Sequence, residues 1–296
     1  MVGLPSVASE LAATFDAAGV DATFHAVDVT TGADVGHRHD ELSIAASVFK
    51  LPVLVALVRA ADAGVIDLDT QVTVPVEGRA PGPTGISVMS DPVTMSLRDL
   101  ARLMIVVSDN AATDVVIDAL GLPAVDEALS ELGLHHTQVL VGVKGLFDTV
   151  VEDAHLSSYA DFSLTPSLEE LLTWRAARPA DTNATTPRDM TTLLSLVQRD
   201  KAASPAACEL VRTILGQQVW PHRLAAGFPE DEIVTGGKTG TLPRVRNEVG
   251  LVRYPDGGRF AVACFTWART GNIKNPAADA VIGRAARLAI DALRKE

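Results

Sequence analysis

The sequence predicts an α+β fold, in which the two ends of the chain build one five-stranded antiparallel sheet and a helical lobe is inserted between them. Near the start, the runs ATFHAVDV and ADVGHRH flank Thr30-Thr31-Gly32. Near the end, EVGLVRY and RFAVACFTW flank Pro255-Asp256-Gly257-Gly258. Both pairs predict hairpins, whereas residues from about 46 to 215 carry apolar side chains mostly at helical spacing. This arrangement favours one sheet that draws on both ends of the chain.

The elements follow in a simple order. Residues 5–18 predict a helix that precedes the first hairpin, and VTGGKTGT at 234–241 predicts the fifth strand. The closing run NPAADAVIGRAARLAIDALRKE predicts an amphipathic helix that packs on the sheet with the first one. We therefore assign residues 1–45 and 207–296 to an α/β sheet lobe and residues 46–206 to an all-helical lobe of one continuous unit.

The composition indicates a globular protein with a small soluble substrate. Of the 296 residues, 47% are hydrophobic and 21% are charged, which is enough apolar surface for a packed core. The formal net charge is -12, from 37 acidic and 25 basic residues, and no basic cluster occurs. This balance argues against nucleic acid and anionic membranes as partners. We expect a monomer that acts on a small molecule with an anionic group.

The start of the chain bears on its location. Residues 1–24 contain no Lys or Arg, and Glu10 and Asp16 interrupt their apolar side chains, which is unlike a secretory signal. No apolar run approaches the roughly 18 to 20 residues of a membrane span. The sequence as it stands predicts a cytoplasmic protein, or a secreted one if an export signal has been removed.

Neither the cysteines nor the histidines predict a cofactor or a metal. Cys208 and Cys264 lie in apolar stretches, which favours buried free thiols over a disulfide. No two histidines have a metal-ligand spacing such as H-x-x-x-H. The stretch GGKT at 236–239 lacks the earlier glycine of a phosphate-binding loop.

A serine and a lysine three residues apart open the helical lobe, in the stretch ASVFKLP. On a helix, Ser47 and Lys50 lie on one face, so the lysine amine can reach the serine hydroxyl. Burial would lower the lysine pKa until the neutral amine accepts a proton, and a serine hydroxyl needs such a base to become a nucleophile. For this pair alone, an ordinary helix start with a serine cap and a solvated lysine is the better explanation.

Two further motifs change that balance. VVSDNAA supplies S-D-N at residues 108–110, at a break between two apolar helical runs, and the fifth strand supplies K-T-G at residues 238–240. S-x-x-K, S-D-N and K-T-G, in this order, are the three motifs of class A β-lactamases and penicillin-binding proteins. The chain resembles the class A serine β-lactamases over nearly its whole length, although the interval between the second and third motifs is longer than usual.

This resemblance implies catalytic roles. Ser47 would attack a carbonyl and form an acyl-enzyme, with Lys50 as the proton acceptor. Ser108 would pass a proton to the leaving nitrogen, and the backbone N–H groups of Ser47 and Thr241 would form the oxyanion hole. Asp109, between two functional neighbours, is expected to face inward and fix the turn.

The resemblance also implies substrate contacts. The Asn110 side-chain amide would hold an acylamino group, and Lys238 with Thr239 would bind an anionic group such as a carboxylate. Arg246 or Arg244 would add a second cation for that carboxylate, but an arginine solvated in a loop is an equal alternative.

The sequence departs from the family between the second and third motifs. Class A enzymes with fast turnover carry an E-x-x-L-N loop, whose glutamate activates the water that removes the acyl group, and this sequence has none. Counting back from Pro187 makes Glu170 the candidate for that base. However, Pro166 followed by Glu169 and Glu170 also predicts a helix start, which is the favoured interpretation. Further candidates in the 141–180 segment are Asp148, Glu152 and Asp153.

Three functions remain open at this point. The first is hydrolysis of β-lactams through an acyl-enzyme. The second is an amidase, esterase or peptidase with little β-lactam turnover, in which the 141–180 segment is a lid that reshapes the pocket. The third is a penicillin-binding protein that acylates and then stalls, as a sensor would, which the lack of a membrane tether disfavours. The three motifs together favour a β-lactamase-like serine hydrolase.

Overall fold

The structure of the protein is a computed structural model that describes residues 4–158, 161, 166–271 and 274–295. The strands are β1 (Val20–Asp28), β2 (Asp34–His37), β3 (Ser43–Ile44), β4 (Gln71–Val74), β5 (Val93–Ser96), β6 (Ala184–Thr185), β7 (Val234–Leu242), β8 (Val245–Arg253) and β9 (Arg259–Ala268). Five of them form an antiparallel sheet in the order β2-β1-β9-β8-β7, which confirms the predicted sheet from both ends of the chain. The pairs β3–β6 and β4–β5 form two small separate sheets.

The predicted turns join the strands of this sheet. Gly32 and Gly257 have φ angles of +80° and +96°, which a glycine adopts without the steric cost that a Cβ would bring. Between β7 and β8 the chain turns tightly at Pro243 and Arg244, and Arg244 itself has a φ of +63°. This turn sets a register that places Thr241 directly opposite Arg246.

The described residues form ten helices, some of which pack on the sheet while the others form the helical lobe. They are α1 (Leu4–Ala17), α2 (Lys50–Asp62), α3 (Leu97–Val106), α4 (Asn110–Leu120), α5 (Leu122–Glu131), α6 (Val143–Asp153), α7 (Leu168–Thr173), α8 (Pro187–Gln198), α9 (Pro205–Gly216) and α10 (Pro276–Leu293). The terminal helices α1 and α10 pack together on one face of the sheet, as the sequence predicts, and α8 packs on the other face.

Strand β9 is buried on both faces, which explains its nearly continuous apolar sequence. Val262 and Cys264 belong to the core beneath α1 and α10, whereas Ala261, Ala263 and Phe265 belong to the core that contains α2 and α8. Side chains alternate between the two faces of a strand, so a strand covered on both sides has apolar residues at every position. The second core continues from the sheet into the helical lobe, so the two predicted lobes share one packed interior.

Helix α2 lies at the centre of the helical lobe. Its residues 51–58 are all buried, so this helix has no solvated face and packs against α3, α4, α5 and α9. A helix that is apolar all round belongs in the interior of a protein. Lys50 is the first residue of α2, so a helix that is buried along residues 51–58 fixes the position of this lysine.

Cys208 and Cys264 are buried free thiols, as predicted. Over the described ranges, no helix is long and apolar enough to cross a membrane. The same residues include no group of three His, Cys, Asp or Glu side chains that could hold a metal ion.

The core beneath the terminal helices should depend strongly on Phe24, a fully buried side chain of β1. We expect Phe24→Ala to lower the free energy of unfolding by about 3 to 5 kcal/mol, because it removes a buried ring and leaves a cavity. Val65→Ala is the matched control, since Val65 is 77% exposed, and it should change stability by less than about 0.5 kcal/mol. Denaturant titrations of both variants measure the difference, and similar values for the two would contradict this assignment of the core.

Candidate active site

Ser47 lies where the sheet meets the helical lobe. It belongs to a short 3-10 turn, Ala46–Phe49, that leads directly into α2. The Asn247 side chain of β8 donates hydrogen bonds to the carbonyls of Ile44 and Ala45, at 2.8 and 3.3 Å, and so ties the preceding residues to the sheet. The hydroxyl is half-buried on the lining of a cavity of about 440 Å³.

Strand β7 passes close to this turn. A Cβ atom at Gly240 would lie 2.7 Å from the carbonyl oxygen of Ala45, so only glycine lets the strand approach this far. Ser47 and Thr241 both line the same cavity. The two backbone N–H groups expected to form an oxyanion hole therefore come from two chain segments that meet at this contact.

Lys50 is fully buried and reaches across to the S-D-N turn. Its Nζ donates hydrogen bonds to the Ser108 carbonyl at 2.9 Å and to Asn110 Oδ1 at 2.8 Å, and lies 3.3 Å from Ser108 Oγ. Within the described chain, the hydrogen bonds of Nζ go to residues 108–110 rather than to the Ser47 hydroxyl. Burial lowers the Lys50 pKa to about 7, against the opposing charges of Asp109 and Asp114. The amine therefore exchanges its proton near neutral pH.

Ser108 links the two buried lysines of the site. Its Oγ lies 3.0 Å from Lys238 Nζ and 3.3 Å from Lys50 Nζ. Lys238 also donates to the carbonyl of Thr239 at 2.8 Å. Burial, and then the charge of Lys50, hold the pKa of Lys238 well below its ordinary value. Two ammonium groups so close disfavour each other, which favours a state in which one of the two amines is neutral.

Hydrogen bonds of the buried Asp109 stabilise the turn that carries Ser108. Ser108 has a φ of +60°, an uncommon conformation for a residue with a side chain. Asp109 is fully buried, accepts a hydrogen bond from the backbone N–H of Ile86 at 2.6 Å, and caps α4 by accepting from Ala112 at 3.1 Å. The expectation that Asp109 faces inward and fixes the turn is confirmed.

Asn110 lines the cavity between Lys50 and a neighbouring loop. Its Oδ1 accepts from Lys50, and its Nδ2 donates to the carbonyl of Pro81 at 2.7 Å. These two bonds set the orientation of the amide, and they leave one amide N–H available for a ligand.

The cationic side of the site contains a residue that was not predicted from the sequence, Arg223. Arg223 is buried and donates to the carbonyls of Gly240 and Asn247, at 3.0 and 2.9 Å, and to Thr241 Oγ1 at 2.9 Å. Asp279 at the start of α10 accepts from its Nε at 2.7 Å. Arg223 belongs to none of the three motifs, and its partners are distant in sequence, so no local pattern marks it.

The two arginines that the sequence proposed also lie on the cavity lining, in different surroundings. Arg246 is buried, with its Nη1 donating to the carbonyls of Leu242 and Val245 at 3.0 and 2.8 Å. Arg244 donates to the carbonyls of Ala268 and Arg269, at 3.2 and 2.9 Å. Neither arginine is simply solvated in a loop.

A second layer of polar side chains, from Gln218 to the buried Glu248, supports β7. Gln218 Oε1 accepts from the backbone N–H of Thr239 at 2.7 Å, and Gln218 Nε2 donates to Glu248 at 2.7 Å. Glu248 also accepts from the backbone N–H of Leu224 at 2.7 Å. Burial raises the Glu248 pKa. This layer fixes the strand that carries Lys238, and it was not predicted from the sequence.

The structure does not bring Glu170 to the cavity. Glu170 is exposed at the start of α7, where its carboxylate accepts from the backbone N–H of Ser167 at 2.8 Å and the Ser167 hydroxyl accepts from Glu170 N at 3.1 Å. This reciprocal pair is a capping box, and its hydrogen bonds lower the Glu170 pKa. The assignment of Glu170 as a base is therefore corrected to a helix cap, in line with the helix start signals of the sequence.

The other acids proposed from the 141–180 segment point elsewhere. Asp148 pairs with Lys144 at 2.8 Å, and Glu152 and Asp153 pair with Arg175 at 2.7 and 2.8 Å. No Asp or Glu occurs among the described residues of the cavity lining. The undescribed residues 159–160, 162–165 and 272–273 contain no Asp or Glu in their sequence either. His222, on the described lining, has its pKa lowered by burial and by Arg223.

Comparison with known proteins agrees with this geometry. Residues 6–293 match the model of the β-lactamase enzyme family. The chain is 29% identical to the β-lactamase regulatory protein BlaB of Streptomyces cacaoi over 100% of both chains. It is 28% identical to the carbapenem-hydrolysing β-lactamase KPC of Klebsiella oxytoca, covering 91% of this chain and 83% of that one.

A solved structure gives the same result for the fold. The β-lactamase of Sphaerobacter thermophilus superposes with a TM-score of 0.77 at 29% identity and covers 96% of both chains. The motifs, the buried lysine pair around Ser108, the sheet topology and these matches all lead to one conclusion, that this chain belongs to the β-lactamase enzyme family.

Proposed function

We propose that the protein forms an acyl-enzyme at Ser47 with β-lactams or related amides and releases the acyl group slowly. The observation that carries this proposal is the contrast within one cavity. Lys50, Ser108 and Lys238 are joined by hydrogen bonds beside Ser47, whereas no carboxylate occurs on the part of the lining that the structure describes. The groups for acylation are thus assembled, and a carboxylate to activate water for deacylation is not among them.

The proton transfers of the acylation step follow from the pKa of Lys50 and the hydrogen bonds of Ser108. With a pKa of about 7, Lys50 is substantially neutral at physiological pH and accepts the Ser47 proton as the oxygen attacks the carbonyl carbon. The backbone N–H groups of Ser47 and Thr241 would stabilise the developing oxyanion. As the carbon–nitrogen bond breaks, the Ser108 hydroxyl would donate its proton to the leaving nitrogen and regain one from Lys50 or Lys238, which balances the step.

An anionic group of the substrate would lie on the cationic side. Arg223, Arg244 and Arg246 lie on the lining around the end of β7 and the turn that follows it, where Thr239 and Thr241 add hydroxyls. Lys238 is fully buried within hydrogen-bonding distance of Ser108. Binding an anion also offsets the desolvation of the buried cations Arg223, Arg246 and Lys238, which favours a substrate with a carboxylate.

A regulatory role is the second candidate. The observation that favours it is the full-length similarity to a protein whose name describes it as a regulator of β-lactamase, at 29% identity. A long-lived acyl-enzyme is a stable, ligand-dependent state of the kind that a sensor requires. The two candidates share acylation at Ser47 and differ in what the adduct does afterwards.

The first test concerns covalent chemistry. We expect benzylpenicillin to form a long-lived adduct at Ser47, detected by intact mass and peptide mapping, and Ser47→Ala to form none. Steady-state hydrolysis should be slow, since loss of a positioned general base typically reduces a rate by about 10² to 10⁴.

Glu170→Gln is the control for this test, and it should leave the lifetime of the adduct unchanged, because Glu170 caps α7. Turnover near 10² s⁻¹, within the typical enzyme range of roughly 1 to 10³ s⁻¹, would contradict slow release. It would leave His222 as the base to test next.

The second test concerns pH. Below about pH 7 Lys50 is protonated and cannot accept a proton, so the rate of adduct formation should rise about tenfold per pH unit and level off above pH 7. Lys50→Arg, which keeps the charge at all pH values, should abolish this rise along with most of the rate. The rate of adduct formation can be measured by quenched mass spectrometry from about pH 5 to pH 9. A flat pH profile for the parent protein would exclude Lys50 as the base.

The third test concerns the anionic group. We expect Lys238→Ala to slow acylation by benzylpenicillin by roughly tenfold to a hundredfold more than acylation by p-nitrophenyl acetate. The reason is the loss of a charge-assisted bond worth about 1.5 to 3 kcal/mol, which a neutral ester does not make. Lys144→Ala removes an exposed lysine and should affect neither substrate. Equal losses on both substrates would mean that Lys238 serves proton transfer or the fold instead.

A further inference from the structure

The loop that joins β4 to β5 is organised around one side chain, that of Arg79. Its guanidinium donates five hydrogen bonds, and every acceptor is a backbone carbonyl. Nε donates to the carbonyl of Pro75 at 2.7 Å. Nη1 and Nη2 donate, at distances of 2.6 to 3.0 Å, to the carbonyls of Val74, Ile86, Met89 and Asp91. A guanidinium has five N–H groups, so the loop and its ends use all the donors that this side chain has.

These bonds give Arg79 a role that a lysine cannot fill. The acceptors come from both ends of residues 74–91, which we call the 74–91 loop, and from its middle. A lysine ammonium has three donors at the end of a flexible stem, whereas the planar guanidinium offers five in fixed directions. Arg79 therefore holds the backbone of the whole loop in one conformation.

The 74–91 loop packs directly on the S-D-N turn of the active site. Thr84 Oγ1 donates to the carbonyl of Val107 at 2.7 Å, and Ser87 Oγ donates to Asp109 Oδ1 at 3.3 Å. Gly85 has a φ of +65°, and a Cβ atom there would lie 2.1 Å from Asp109 Oδ2. Only a glycine allows the loop to approach the turn so closely.

The loop also determines which way the Asn110 amide faces. Asn110 Nδ2 donates to the carbonyl of Pro81 at 2.7 Å, and a Cβ atom at Gly82 would lie 2.9 Å from this nitrogen. A carbonyl oxygen can only accept, so the amide nitrogen must face Pro81, and the amide oxygen is left to accept from Lys50 Nζ at 2.8 Å. Pro81 follows Arg79 closely in the chain, within the part of the loop that the guanidinium closes.

We propose that Arg79 is a positioning residue of the active site, which acts through the 74–91 loop to hold the Asn110 amide with its oxygen toward Lys50. The importance of this orientation for acylation rests on the proposed function. The orientation itself does not, because it can be measured in the free protein without any reaction.

The titration of Lys50 reports this orientation. A hydrogen bond from the ammonium to Asn110 Oδ1 stabilises the charged form of the lysine. If the loop loosens, the amide can rotate, the ammonium loses this acceptor for part of the time, and the Lys50 pKa falls below its value of about 7. The charged groups that face Lys50 are Asp109 and Asp114, from the S-D-N turn and α4, and Lys238 from β7. A substitution at Arg79 that keeps its charge leaves all of them in place.

Arg79→Lys is the variant that tests the proposal, because it keeps the positive charge and removes donors from the loop. Lysine Cε signals in NMR spectra of isotope-labelled protein measure the titration, and Lys50→Arg assigns the signal of Lys50. We expect Arg79→Lys to lower the midpoint for Lys50 by about 0.5 to 1 pH unit, as the partial loss of one hydrogen bond to a charged group implies. An unchanged or raised midpoint would overturn the inference.

Arg98→Lys is the matched control. Arg98 lies on α3, where it is exposed and pairs with Asp69, so the same substitution there should leave the Lys50 midpoint where it is in the parent protein. Thr84→Val removes a different attachment of the 74–91 loop without changing any charge, and it should also lower the midpoint. If Arg79→Lys does not fold, Thr84→Val decides the question by the same criterion.

A double-mutant cycle shows whether Arg79 acts through Asn110. Asn110→Ala removes the acceptor outright and should lower the Lys50 midpoint at least as far as Arg79→Lys does. In the Asn110→Ala background, Arg79→Lys should have no further effect, because the amide that it positions is gone. Two shifts that simply add would mean that Arg79 reaches Lys50 by another route, and would overturn the inference.

Acylation separates the role of Arg79 from the proposed function. In Arg79→Lys, the pH at which the rate of acylation by benzylpenicillin levels off should fall together with the Lys50 midpoint. If that midpoint falls but benzylpenicillin acylates neither protein, the proposed function fails and the positioning role stands. If benzylpenicillin acylates both proteins with one pH profile and the midpoint is unchanged, the proposed function stands and the positioning role fails.

Discussion

The site depends on the burial of two lysines around a single hydroxyl. Lys50 and Lys238 are both fully buried, and each lies within hydrogen-bonding distance of Ser108 Oγ. Removing an ammonium group from water is expensive unless acceptors replace the water. The chain supplies them from two elements, the S-D-N turn for Lys50 and the Thr239 carbonyl of β7 for Lys238. The remaining cost appears as lowered pKa values, which make these groups useful for proton transfer.

Much of the surrounding structure can be understood as support for this arrangement. Ser108 adopts its unusual backbone conformation because Asp109 binds the N–H of Ile86 and caps α4, which holds the turn in place. On the other side, Gln218 and Glu248 fix the backbone of Thr239 and so the strand that carries Lys238. Both supports are polar networks whose members are hydrogen-bonded, so they hold the backbone that carries the lysines with the carboxylates of Asp109 and Glu248 both accepting hydrogen bonds.

The parts of the fold and site that the sequence predicted are those specified by local patterns. The hairpins follow from turn residues such as Gly32 and Gly257, and the three motifs place Ser47, Lys50, Ser108 and Lys238 because each motif is short. Arg223 and Glu248 escaped prediction because their partners are brought together only by the folded sheet. The aromatic part of the cavity lining escaped for the same reason, since Trp174 and Trp267 are far apart in sequence. Glu170 became a candidate base through a count of residues, whereas the helix-start signals around it, which were the favoured interpretation, agree with the capping box of Ser167.

The electrostatics of the cavity affect both steps of the proposed function, acylation and release of the acyl group. A carboxylate close to a buried lysine raises the lysine pKa, as Asp109 and Asp114 already do in part for Lys50. A further carboxylate beside Ser47, of the kind that activates water, would stabilise the charged form of Lys50. Less of the lysine would then be in the neutral form that accepts a proton near pH 7. The described lining instead presents apolar and aromatic side chains where the 141–180 segment meets the cavity. The same segment that lacks a carboxylate on the described lining therefore favours the neutral form of Lys50, so in the proposed function acylation and slow release would be two consequences of one arrangement.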